Sequence, residues 1–134
     1  MTADERAVLA ANAEFYRAFA ERDVTAMDAL WARSTPVACI HPGWQVLNGR
    51  EAVMASWRGI LAGVPPAIRC TEETARVAGS AAFVVCTESL DAGELVATNV
   101  FVQEEGDWKL AHHHAGPVAT ETDDDDGPRS GFLN

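Results

Sequence analysis

Helical and strand-like signals in this chain are segregated rather than alternating, and that order limits the fold more than any other feature. From residue 67 onward, strand-like runs at 68–77, 81–90, 94–103 and 108–115 follow one another. Their connectors, Ala78-Gly79-Ser80, Asp91-Ala92-Gly93 and Glu104-Glu105-Gly106-Asp107, have the length and composition of hairpin turns. Three helical patterns come first. Residues 3–21 repeat Val8, Ala11, Phe15 and Phe19 at three- or four-residue spacing, behind a Thr2/Glu5 capping-box pair. Asp23 predicts the N-cap of a short second helix that buries Met27, Leu30 and Trp31 and stops at Pro36. Residues 37–41 read as a strand closed by the Pro42-Gly43 turn. Asn48-Gly49 then opens a third helix over 50–61, with Val53, Met54, Trp57 and Ile60 inward, and Val64-Pro65-Pro66 forbids its continuation. Helices first and an antiparallel meander afterwards predict an α+β domain with its helices on one face of the sheet.

At 134 residues the chain holds one core. The predicted domain spans residues 1–118, and residues 119–134 form an acidic tail without periodicity, expected to lie outside the core. The net charge is −10, of which the tail supplies −4 through Glu121 and the four aspartates at 123–126 against Arg129. The domain itself is therefore acidic and has a single lysine, Lys109, which disfavours nucleic acid as a partner. No apolar run approaches the ~20 residues that cross a bilayer, so no membrane partner is expected. Met1-Thr2-Ala3-Asp4-Glu5 has no leader pattern, and Cys39, Cys70 and Cys86 are odd in number and sit in strand-like runs. Both point to the cytoplasm and to reduced, inert thiols.

Several residues place polar or aromatic chemistry where a small domain normally keeps aliphatics. His41 ends a strand beside a turn and titrates near neutral pH, as general-base work requires. A histidine bonded to backbone at a strand end is the plainer alternative. Strand alternation places Ala111, His113 and Ala115 on one face, and Trp108, Leu110, His112 and His114 on the other. Asn99 shares a face with Ala97 and Phe101, where its amide orients a ligand carbonyl or a histidine ring, or is a core amide satisfied by backbone. Trp44 and Trp57 are candidates to line an apolar pocket for a ring-shaped ligand, Trp44 at its border and Trp57 also readable as core. Tyr16 either donates its phenol into the cavity or reaches solvent. Of the neighbours Thr87 and Glu88 only one can face inward; Thr87 is the expected ligand contact and Glu88 a solvated or interface charge. No carboxylate or cysteine is spaced around the histidines as zinc sites demand, so no metal is expected. Without a glycine-rich phosphate loop or a Gly-x-Ser-x-Gly elbow, phosphoryl transfer and serine hydrolysis lack support.

The joint order of Phe15-Tyr16, Arg22-Asp23, His41-Pro42-Gly43-Trp44, Gly49-Arg50-Glu51, Thr98-Asn99-Val100-Phe101 and Gly106-Asp107-Trp108 resembles the SnoaL-like branch of the nuclear transport factor 2-like superfamily, over residues 3–117. The resemblance implies a cone-shaped, cystatin-like fold: three N-terminal helices across a strongly curved, mainly antiparallel sheet that encloses a pocket. Similarity to ketosteroid isomerases implies His41 at the position of their proton-shuttling base, and Thr98-Asn99 near their proton-donating acid. It also directs the His113 face toward the pocket and the opposite face toward a sheet-to-sheet interface. Similarity of Leu90-Asp91-Ala92-Gly93 and the final His-x-His to calcium/calmodulin-dependent kinase II association domains implies a non-catalytic assembly module instead.

The expectation is a pocket for a small apolar or ring-containing organic ligand. Its catalytic candidates are His41, Asn99 and His113, and its ligand-binding candidates are Tyr16, Trp44, Trp57, Thr87 and Phe101. Cofactor-free proton transfer (isomerisation, dehydration or cyclisation) is the reaction class, and a homodimer the expected assembly. A dimerisation or ligand-binding module without catalysis is the alternative.

Overall fold

Helix α1 (Ala3–Ala20) starts on the cap that the sequence supplies: Thr2 accepts from the Glu5 amide at 3.0 Å, and the Glu5 carboxylate accepts from the Thr2 amide at 2.8 Å. The structure, a computed structural model, describes residues 1–119, so the expected tail beyond Ala119 lies outside the described residues. One stripe of α1 buries Val8, Asn12, Phe15 and Phe19, a helical repeat with one amide in it.

Helix α2 (Val24–Leu30) is capped by Asp23, which accepts from the Ala26 amide at 3.0 Å. It ends at Leu30, well before Pro36. Trp31 turns extended and bridges to Leu110, and the Arg50 guanidinium donates to the carbonyls of Asp28 (2.8 Å), Trp31 (2.8 Å) and Ala32 (3.3 Å). Those carbonyls have no partner within α2, so a distant arginine terminates the helix. After β1 (Ala38–Ile40) and β2 (Leu47–Asn48), Gly49 at φ 90° makes the left-handed entry into α3 (Arg50–Ala62).

The hairpins then run as expected through β3 (Arg69–Ala78), β4 (Ala81–Leu90), β5 (Gly93–Glu104) and β6 (Asp107–Pro117). The six strands are ordered β2-β1-β6-β5-β4-β3, antiparallel except for β1 beside β6. Three helices packed on this curled sheet give the α+β architecture expected. Ala82, Val84, Cys86 and Glu88 of β4 point inward, as do Ala97, Asn99 and Phe101 of β5. Each large apolar side chain so buried stabilises the domain by roughly 1.5–3 kcal/mol.

The last strand departs from simple alternation. Val100 pairs with His112 but Phe101 pairs with Leu110, so Ala111 is an extra residue, a bulge. The bulge turns Trp108 and Leu110 onto the inner face with His113 and Ala115, and both are buried. The expectation that Trp108 lies on the outer face with His112 and His114 is therefore corrected. What the outer face exposes is Phe83 (43%), Val85 and Val96 (46%). Among the described residues no helix is long and apolar enough to cross a membrane.

Candidate functional site

Between α1, α3 and the inner sheet face lies a cavity of about 290 Å³. Its walls are mostly apolar and aromatic, including Phe15, Phe19, Trp57 and Leu95, with His41, His113 and Glu88 as its ionisable members. A concavity of about 430 Å³ on the outer face, around Phe83 and Val100, has Arg76 as its sole ionisable side chain and offers no acid–base pair.

His41 projects from the end of β1 against Trp57 and Trp44, with ring centroids 4.8 and 4.7 Å away. Trp57 is buried core that also walls the cavity, while Trp44 stands half exposed at its mouth. The Ser56 hydroxyl gives its one hydrogen to the Val53 carbonyl at 2.7 Å, so toward His41 Nε2, 3.0 Å away, it is an acceptor. The network thus assigns the proton of His41 to Nε2 and leaves Nδ1 bare. Nδ1 has no partner among the described residues and is not sealed in: the sealed, unpartnered side-chain nitrogens there are the indoles of Trp31 and Trp57. Burial lowers the pKa of His41 below the usual imidazole value, keeping it neutral at pH 7.

His113 is placed by a buried relay. Its Nδ1–H donates to Asn99 Oδ1. The Asn99 amide donates in turn to Asn12 Oδ1 at 2.8 Å and to the Tyr16 oxygen at 3.3 Å. Tyr16 donates its own hydrogen to Glu88 Oε2 at 2.6 Å. His113 Nε2 stands 4.0 Å from the same oxygen, yet the two do not form an ion pair. Burial pushes the His113 pKa down to about 3, so that ring is neutral, and it raises the pKa of Glu88 against the Tyr16 hydrogen bond, which lowers it.

The structure brings His41, His113, Trp44 and Trp57 of the expected site together around one cavity. It moves four others. Asn99 lies behind the wall and orients His113, so it is a positioning residue. Tyr16 is likewise behind it, directed at Glu88. Phe101 is fully buried core, away from the cavity. Thr87 is on the opposite face of β4 from Glu88, where it donates to Glu72 at 2.9 Å. The expectation for Thr87 and Glu88 is thus reversed: Glu88 is the buried wall residue. The signal was present, because Glu88 continues the period-two series Ala82, Val84, Cys86. It was masked by an equally apolar series, Phe83 and Val85, on the other face. Asn12 and Ser56 were also missed, although Asn12 occupies the buried stripe of α1 and Ser56 lies half-buried beside that of α3. Among the described residues no three His, Cys, Asp or Glu side chains converge as a metal-holding group.

Comparison with known proteins gives this geometry a context. A protein of the nuclear transport factor 2-like family from Streptomyces avermitilis, provisionally named a dehydratase, is 36% identical, with a TM-score of 0.80 over 87% of this chain and 97% of that one. A protein from Thiobacillus denitrificans, provisionally named a calcium/calmodulin-dependent protein kinase type II association domain, is 34% identical, with a TM-score of 0.69 over 82% and 94% of the two chains. A cystatin-like protein from Caulobacter vibrioides, 16% identical with a TM-score of 0.79 over 90% and 94%, shares the fold. The F-box protein SKIP8 of Arabidopsis thaliana is 30% identical over 118 residues, 84% of this chain, which spans about half (50%) of that relative's length. Residues 8–120 match the SnoaL-like domain family, and the chain belongs to that family.

Proposed function

We propose that this SnoaL-like protein binds a small, ring-containing organic molecule in the inner cavity and moves a proton on it without a cofactor, with His41 Nδ1 as the base. The observation that carries this reading is the His41 ring itself: neutral, with its tautomer set by Ser56, its Nδ1 unpartnered among the described residues, and lining an aromatic-walled cavity. A base so placed takes a proton from carbon beside a carbonyl and returns it elsewhere, the step shared by isomerisation, dehydration and cyclisation. The Streptomyces relative's provisional name favours dehydration among the three. His113 supplies a second bare nitrogen, Nε2, to hold the ligand, and Asn99 keeps that ring in register. Free Cys39, Cys70 and Cys86 support a reducing compartment, the cytoplasm.

Exchange of α-hydrogens of cyclic ketones into D₂O, followed by proton NMR, tests the base without a known substrate. The protein should accelerate exchange, and His41→Ala should lower the rate by roughly 10²–10⁴-fold. An unchanged rate in the variant would remove His41 from the chemistry.

The apolar outer face favours a second, compatible reading as a homodimer. Phe83, Val85 and Val96 form an exposed patch that a second copy of the chain would cover. Trp108, buried on the other side of the sheet, has no part in it.

A further inference from the structure

Glu88 is the one ionisable wall residue of the cavity that the proton-transfer reading leaves without a task. We infer that the cavity is selective for uncharged ligands, with the Glu88 carboxylic acid donating a hydrogen bond to a ligand carbonyl or hydroxyl oxygen. The same ligand's donor group meets the bare nitrogens of His41 and His113. This inference rests on the pocket proposed above and specifies what fits it.

The geometry sets the direction of each bond. Tyr16 has already given its hydrogen to Glu88 Oε2. The remaining oxygen, Oε1, has no partner among the described residues and is not sealed away, and Glu88 lines the cavity, so Oε1 is the oxygen left to carry the acid proton toward a ligand. The neighbours of Glu88 include no counter-charge for a carboxylate. Tyr16 faces it from α1, His113 from β6, Cys70 from β3 and Leu95 from β5, with Cys86 on its own strand. None of these is a cation to hold a carboxylate; burial raises the carboxyl pKa, and the Tyr16 hydrogen bond alone works the other way. No lysine or arginine lines the cavity. An anion entering it would lose its water and gain no counter-charge, and an ammonium would meet a neutral acid; a neutral molecule pays neither penalty.

Calorimetric titration with two probes of one shape tests the inference: 4-hydroxyacetophenone, neutral at about pH 6.5, and 4-hydroxybenzoate, ionised there. The ketone should bind at least about tenfold more tightly than the carboxylate. Glu88→Gln, which retains an N–H donor, should keep ketone affinity within about threefold, whereas Glu88→Ala should weaken it by about tenfold or more. Equal or tighter binding of the carboxylate overturns the selectivity while leaving the pocket in place. Unchanged ketone affinity in folded Glu88→Ala overturns the role of Glu88. Should that variant not fold, the two-probe comparison on the unaltered protein still decides. A folded protein that binds neither probe overturns the pocket reading, and this inference with it.

Discussion

His41 and His113 are both buried imidazoles with one nitrogen tied and one bare, but their supports differ, and so do the consequences of replacing them. His41 Nε2 has Ser56 at 3.0 Å and the Cys39 thiol at 3.8 Å, and Ser56 keeps its bond to Val53 when the imidazole is removed. His41→Ala should therefore cost only about 1 kcal/mol of stability while lowering the exchange rate by roughly 10²–10⁴-fold, checked by paired thermal melts and NMR rates. A drop of many degrees would mark it as a structural histidine. His113 terminates a relay of four side chains, and its pKa, near 6.5 in the unfolded chain, falls to about 3 on folding. The folded state then binds fewer protons than the unfolded one between those values. Its contribution is complete above pH 6.5 and is lost as pH falls toward 3, at on the order of 1 kcal/mol per pH unit. Glu88, with its pKa raised, has the opposite sign: its contribution is complete below its ordinary 4.5 and is lost as pH rises through the folded value. Melting His113→Gln and the parent protein between about pH 4 and 7 should show a flatter acid limb in the variant. Parallel curves would show that burial of His113 is not the source of the acid sensitivity.

Among the elements, α2 is the least self-sufficient: seven residues long, with Arg50 of α3 holding its last carbonyls and Asp28. Arg50→Ala should destabilise the domain by about 2–4 kcal/mol in denaturant titration, and Arg50→Lys should recover little, because an ammonium cannot span the same acceptors. A loss under about 0.5 kcal/mol would mean that α2 holds its end alone. The same element shows where sequence reading reached its limit. The cap at Asp23 was legible because it is local, whereas the stop at Leu30 is imposed by residues far away in the chain. Hairpin positions were legible from turn composition, and β4 was found over its full extent at 81–90. The inward face of β6 was not legible beyond His113. A bulge at Ala111 leaves no mark in the sequence, and it alone decides where Trp108 points. His41 stood out as a histidine at a strand end, while Glu88 disappeared between two apolar series of equal strength.

For the molecule as a whole, the exposed outer face predicts that sedimentation at micromolar concentration gives a dimer. Val85→Lys should convert it to a folded monomer. A monomeric parent protein would remove the dimer reading. Deleting residues 120–134 should leave the cooperative melt unchanged, since the six strands of the described residues end at Pro117. A lowered midpoint would place the domain boundary further along. One pairing also governs when the site comes into being. Cys39 lies in parallel register with His113, so the strand that ends at His41 is held by β6, the last strand among the described residues. Non-local pairing of this kind is slow to form, because a long loop must close before the contact stabilises anything. During synthesis the cavity therefore has no floor until the hairpin of β5 and β6 has left the ribosome, and a chain stalled before Trp108 carries His41 with no β6 to hold its strand.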